Sequence, residues 1–177
     1  MCYNCSVTKS IQSQRLLLRP FAVTDADDVF DCITPAITRF MPWEPPQSLS
    51  EYKAQRHVMT PGEDKTVITF VIRRQDTKEC LGLTSLANVD SDSPELGVWL
   101  KETAHAQGYG REAVAAVAEW ASHSLHKESF IYPVAVENLA SRRIAEKLGG
   151  KIVGERTNAK YRSVVYKIPA PPFTTAE

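Results

Sequence analysis

A strand, a glycine-bearing loop, a long amphipathic helix and a second strand follow one another between residues 95 and 136. That order leaves the chain few ways to fold. Glu95–Leu100 reads as a strand, and His105-Ala106-Gln107-Gly108-Tyr109-Gly110-Arg111 follows it. A helix is predicted from about 108 to 123, with Val114, Val117, Ala118, Ala121 and Leu125 along one face. Residues 129–136 return as a strand. A helical crossover between two strands of one sheet makes them parallel, or nearly so.

The rest of the chain reads as elements around that unit. Residues 15–19 form a first strand, stopped by Pro20. Thr24 is expected to cap a helix with Asp27 as its partner, burying Ala26, Val29, Phe30 and Ile33 and leaving Asp25, Asp28 and Asp31 in water. Pro35 is expected to end it. Met41-Pro42-Trp43-Glu44-Pro45-Pro46 cannot be regular structure. Ser48 with Glu51 predicts a second capped helix reaching about Thr60. Residues 66–73 are apolar on both faces, as in a central strand. A turn at 75–78 leads to a strand over 81–89, and a turn at 90–94 leads to Glu95. After the parallel pair, Asn138 starts a short helix that Gly149 ends. Residues 151–156 and 161–168 pair as last strands. The expected fold class is α/β (α+β), one domain spanning 1–177 around a central mixed sheet. Its fourth and fifth strands are parallel, and residues 1–12 and 169–177 are expected to be loose tails.

Composition removes several functional classes. The chain has 177 residues, enough for one sizeable core. Hydrophobic residues make up 43% and charged residues 24%, which suits a globular protein and not a disordered one. Lys+Arg and Asp+Glu both number 21, so the basic surplus of a general nucleic-acid binder is missing. No apolar run approaches the ~20 residues of a membrane span. Met1-Cys2-Tyr3-Asn4-Cys5 lacks the pattern of a secretory leader. Four cysteines fit free thiols in a cytoplasmic protein. Cys2 and Cys5 have metal spacing, but zinc needs four ligands, and Cys32 and Cys80 stand without neighbouring histidines, so no metal is expected. His57, His123 and His126 read as surface residues.

Two segments hold the chemistry. Gly108 and Gly110, at a helix start, let the backbone turn several N–H groups towards one point, where the helix dipole adds positive charge. An anion such as a pyrophosphate fits there; a tight turn into a helix is the alternative. The loop lacks the Lys-Ser/Thr of a P-loop and the acidic residue of a dinucleotide fold. The second segment runs Asn138-Leu139-Ala140-Ser141-Arg142-Arg143-Ile144-Ala145-Glu146-Lys147-Leu148-Gly149. Asn138 is a helix N-cap, and Ile144 and Leu148 face the core. Asn138 and Ser141 also lie off the carboxyl end of a strand parallel to the one that feeds the glycine loop, where open sheets bind ligands.

In this order, about 30 residues apart, the two segments resemble the GNAT superfamily of acyl-CoA-dependent N-acetyltransferases, and within it the ribosomal-protein-alanine N-acetyltransferase branch. Arg15-Leu16-Leu17-Leu18-Arg19, Met41-Pro42-Trp43 and Glu95-Leu96-Gly97-Val98-Trp99-Leu100 add to the likeness, which extends from Gln14 to Ile168. The resemblance implies that the two parallel strands splay and that the pantetheine of acetyl-CoA lies in the wedge, pairing with backbone near Trp99 and Leu100. It implies that the amides of Ala106, Gln107, Gly108, Tyr109, Gly110 and Arg111 hold the pyrophosphate, and that Asn138 binds pantetheine or orders the thiol end. Lys147, Arg142 or Arg143 would reach the cofactor phosphates. His105 stands where the family prefers Gln or Arg. Ala145 stands where many members carry a catalytic Tyr, which leaves Ser141 as the group that serves the leaving thiol. A homodimer is common among such relatives.

Acetyl transfer to an amine needs a base, a polarised carbonyl and a stabilised thiolate. Glu95, at the wedge mouth, is the expected base, directly or through water; backbone N–H near Leu100 would polarise the carbonyl. Direct attack in a ternary complex is expected, because no histidine except His105 lies near enough to activate a serine nucleophile. Trp43 is expected to wall the pocket of the acceptor, a protein N-terminus or a small-molecule amine. The competing reading is a catalytically silent acyl-CoA-binding sensor or scaffold. Glu95 and Ser141 favour the enzyme, and Ala145 keeps the alternative open.

Overall fold

Two half-sheets, each pinned along its own length, meet at a single point in the computed structural model, which describes residues 10–57 and 66–172. The elements are β1 (Ile11–Gln12), β2 (Leu16–Pro20), α1 (Ala26–Phe30), α2 (Pro35–Thr38), α3 (Leu49–His57), β3 (Val67–Arg74), β4 (Cys80–Ala87) and β5 (Glu95–Leu100). They continue as α4 (Tyr109–Leu125), β6 (Ser129–Ala135), α5 (Leu139–Lys147), β7 (Lys151–Thr157) and β8 (Arg162–Pro169). The sheet runs β1-β2-β3-β4-β5-β6-β8-β7, antiparallel except where β5 meets β6.

That parallel contact is one registered pair, Glu95 with Ile131. β4 holds β5 from Glu95 to Leu100, and β8 holds β6 from Ser129 to Ala135. With each strand paired outward along its length, the inner pairing ends after one residue and the strands part towards Leu100 and Ala135. The short β1 makes the splayed strands fifth and sixth in chain order. Gly82 permits the tight β4–β5 contact: a Cβ there would lie 2.2 Å from the Trp99 carbonyl oxygen.

α4 buries Ala113, Val114, Val117, Ala118 and Ala121 on one sheet face, against Leu18, Phe70, Ile72, Leu96, Leu100 and Phe130. This is the face expected from helical spacing. Leu125 packs at its margin. A smaller cluster on the opposite face joins Phe21, Ala26, Val29, Tyr52, Val71 and Leu83.

Four local expectations change. Thr24 caps nothing; a 3₁₀ turn over Val23–Asp25 precedes α1, and the Asp25 carboxylate accepts from the Ala22 amide at 2.9 Å. Asp25 is not in water. It is 2% exposed and bound by the guanidinium groups of Arg19 and Arg73. Arg19 lies on β2, six residues before Asp25, and Arg73 on β3, 48 residues after it, so the spacing within α1 could not reveal either. Pro35 opens α2 instead of merely ending α1, with Thr34 as its N-cap. The tails are shorter than expected: Ile11 and Gln12 pair with β2, and Pro169 pairs with Ser129. Ser48 does cap α3, but Glu51 reaches back to the Gln47 amide. Cys2, Cys5, the His57 side chain, the helix end near Thr60 and the tail from residue 173 lie outside the described residues.

Candidate active site

The parting strands open a cavity of about 790 Å³. Its floor is Val98, Trp99 and Leu100. One wall is the loop from Ala104 through Arg111, a second is the start of α5, and a third is Ala36 to Met41 around α2.

The glycine loop is built to present backbone donors. Two residues take left-handed conformations, Ala106 (φ 60°) and Gly108 (φ 82°). Gly108 caps α4 without a side-chain hydrogen bond, so the first-turn amides face the cavity unclaimed by a cap. Gly110 works differently from Gly108: its φ is not positive, and its missing Cβ makes room, since one would stand 3.0 Å from Ile144 Cδ1. Alternating left-handed and ordinary residues turn successive N–H groups inward, and the dipole of a 17-residue helix adds to them.

His105 docks the loop onto the end of β5. Its Nε2 lies 2.8 Å from the Leu100 carbonyl oxygen. A carbonyl only accepts, so Nε2 carries the hydrogen and Nδ1 is left as an acceptor in the neutral ring. That bond ties the start of the loop to the open end of β5.

At the α5 end, Asn138 Oδ1 accepts from the Ser141 amide at 3.1 Å, the N-cap foreseen from sequence. Ser141 lines the cavity, and its Oγ lies 2.9 Å from the hydroxyl of buried Tyr132. Burial pushes the Tyr132 phenol up to about 12, against the lowering effect of its bond with Ser141. Arg143 also lines the cavity. Arg142 does not: it turns back to donate to the Tyr166 hydroxyl and the Val136 carbonyl.

The structure thus gathers Trp99, Leu100, Ala106, Gly108, Tyr109, Gly110, Arg111, Asn138 and Ser141 on one cavity. Four expected residues stand off it. Gln107 turns its side chain back onto the Thr103 carbonyl. Lys147 lies four residues beyond Arg143, one turn further along α5. Trp43 stands behind Trp99, ring centroids 6.3 Å apart. Glu95 is not at the wedge mouth. It sits at the closed apex, where β5 and β6 still pair, and its Oε2 accepts from Arg156 at 2.6 Å. Alternation along β5 keeps Glu95 on the face of Gly97 and Trp99, away from α4.

Sequence reasoning missed the α2 wall. Thr34-Pro35, a cap followed by proline at the first helical position, was the available signal. Arg39, at the end of α2, pairs with Glu137 at 3.1 Å and so joins that wall to the β6–α5 turn. Lys160, in the β7–β8 turn, donates to the carbonyls of Thr38 and Trp43 and pairs with Glu44, fastening the same wall from the other side. Among the described residues, no helix is long and apolar enough to cross a membrane, and no group of three or more His, Cys, Asp or Glu could hold a metal ion.

Residues 15–151 match the acetyltransferase (GNAT) domain family. Among solved structures, the chain is similar to an acetyltransferase (GNAT family) from Bacillus anthracis, at 18% identity and a TM-score of 0.79, covering 92% of this chain and 99% of that one. It is similar to spermidine N-acetyltransferase from Vibrio cholerae in complex with CoA and spermine (20% identity, TM-score 0.75, 89% and 97% covered). It is also similar to RimL, a ribosomal L7/L12 alpha-N-protein acetyltransferase (19%, 0.77, 91% and 94%). At these identities the likeness is one of fold. No curated protein sequence matches the chain.

Proposed function

This chain belongs to the GNAT acetyltransferase family, and from that premise we propose that it transfers acetyl from acetyl-CoA to a primary amine by direct attack in a ternary complex. The acceptor is a protein N-terminal α-amine or a small-molecule amine. The observation that carries this reading is the single-pair junction of β5 and β6 opening beside the uncapped start of α4. An extended amide-bearing arm can pair with the freed backbone of β5 while its phosphates meet the loop amides. The residues present fit acetyl-CoA: converging donors, an apolar floor, and the exposed cations Arg111 and Arg143 at the rim.

Acetyl-CoA supplies an activated acyl carbon and a good leaving thiol. The chain supplies position and charge. The amides from Ala106 to Arg111 anchor the diphosphate, and Arg143, continued along α5 by Lys147, meets the remaining phosphate charge. Asn138 orients the start of α5 so that the Ser141 hydroxyl faces the thiol end. Ser141 donates to the sulfur as it departs. Glu95, on the Trp99 face of β5, takes the amine proton through water, and Arg156 fixes its carboxylate. Trp43 backs Trp99, which forms the acceptor side of the floor.

The test is release of free thiol from acetyl-CoA with a panel of amines: spermidine, free amino acids, and peptides bearing N-terminal Ala or Ser. Amine-dependent thiol release with an acetylated product is expected. Tight acetyl-CoA binding without turnover on any member would favour the silent binding module.

A further inference from the structure

Tyr132 stands in β6 with its ring in the main core and 2% of its surface exposed. A phenol carries one hydrogen, and burying that hydrogen unpaired is costly. Among the described residues, its hydroxyl has one hydrogen-bond partner, Ser141 Oγ at 2.9 Å. Ser141 is placed differently: it lines the cavity, where its own hydrogen can meet water or a ligand.

Two hydroxyls at this distance can share a bond in either order. If serine donated, the buried phenolic hydrogen would have no acceptor among the described residues. If tyrosine donates, both hydrogens are used. The difference in burial therefore sets the direction, from Tyr132 to Ser141, and leaves the serine hydrogen aimed at the cavity.

We propose that Tyr132 is a positioning residue for acetyl transfer, donating to Ser141 Oγ so that the serine hydroxyl presents its hydrogen to the departing sulfur. This rests on the role given to Ser141 above. When the acyl carbon–sulfur bond breaks, its electron pair remains on sulfur. The Ser141 hydrogen moves towards that charge, the serine oxygen becomes a better acceptor, and the bond from Tyr132 tightens with it. Neither hydroxyl gives up its proton. A thiolate whose conjugate acid lies near ~8.5 cannot take one from a phenol held well above it or from an alcohol. The proton that finally reaches sulfur is the one the amine releases, passed through solvent.

The experiment compares Tyr132→Phe, Ser141→Ala and the double variant for acetyl-CoA affinity, thermal unfolding and kcat. Tyr132→Phe keeps the ring and should unfold with the wild type. Acetyl-CoA affinity should be unchanged, and kcat should fall roughly fivefold to tenfold, the effect of one neutral hydrogen bond. Adding Tyr132→Phe to Ser141→Ala should lower kcat no further, because the tyrosine acts only through the serine. A Tyr132→Phe enzyme with wild-type kcat beside an impaired Ser141→Ala enzyme overturns this proposal and leaves the serine role standing. Full additivity in the double variant overturns it too, since Tyr132 would then act through packing. A Ser141→Ala enzyme at the wild-type rate overturns the serine role itself, and the proposal with it.

Discussion

The guanidinium of Arg15, immediately before β2, donates from Nη1 to the Gln107 carbonyl oxygen at 3.0 Å, across 92 residues of sequence. The same side chain lies over the Tyr109 ring, 4.3 Å from its centroid, and pairs with Glu112 at 2.7 Å. Drawing the Gln107 carbonyl back to β2 frees the opposite side of the loop for amides, which suits an anion. Arg15 thus anchors the glycine loop from behind without lining the cavity.

Replacing it should weaken the cofactor and spare the chemistry. Arg15→Met is expected to raise the Kd for acetyl-CoA about tenfold, the effect of one charge-assisted hydrogen bond. At saturating acetyl-CoA, kcat should stay near wild type. Calorimetric titration and saturation kinetics test both halves, and an unchanged Kd would leave Arg15 a purely structural strut.

Gly108 is the loop position least able to accept a side chain. Its φ of 82° is strained for a β-branched residue, and its Cβ would approach Arg15 Nη2 at 3.4 Å. Acetyl-CoA at ~100 times its Kd should stabilise the wild type by ~2.7 kcal/mol in thermal unfolding. Gly108→Val should abolish most of that increment. A variant protected as well as the wild type would remove the loop from the binding site.

The carboxylate of Glu95 is tied to Arg156 at the apex of the wedge, so its role is read best from pH dependence. Glu95→Gln should lower kcat/KM most at low pH, where free amine is scarce, and recover as pH rises and the amine deprotonates unaided. Arg156→Gln should give a milder loss, because the carboxylate remains but is no longer fixed. Acetyl-CoA affinity should hold in both. Superimposable profiles for Glu95→Gln and wild type would reduce the pair to a surface ion pair.

Glu112 links the same loop to folding stability. Burial works against its charge, but hydrogen bonds from Ser13 Oγ, the Arg15 amide and the Arg15 guanidinium outweigh burial and hold its carboxyl below the ordinary glutamate range. A carboxyl lowered on folding adds stability above its unfolded pKa of ~4.3 and loses it as pH falls through the folded value. Glu112→Gln should therefore cost about 1–2 kcal/mol near neutrality, roughly 3–6 °C in Tm. The gap from wild type should close in acid. A pH-independent gap would assign the loss to packing.

What the sequence determined by itself is what neighbouring residues settle among themselves. The order strand, loop, helix, strand set the parallel pair, and the spacing of Val114, Val117, Ala118 and Ala121 set the buried face of α4, because both follow from local periodicity. Asn138 as an N-cap was legible for the same reason: it bonds an amide three residues away. The tertiary structure decided the partners. Asp25 looked like one of three solvated aspartates, yet Arg73, 48 residues on, joins Arg19 in burying it. Glu95 looked like a free base at an open mouth, yet Arg156 meets it 61 residues later at a closed apex. Ser141 received Tyr132 from the strand before it, and His105 took the carbonyl of Leu100 at the end of β5. A side chain's period along its own element says which way it faces, but its hydrogen-bond partner depends on which other element the sheet brings opposite. That is settled only when all the strands have chosen their neighbours.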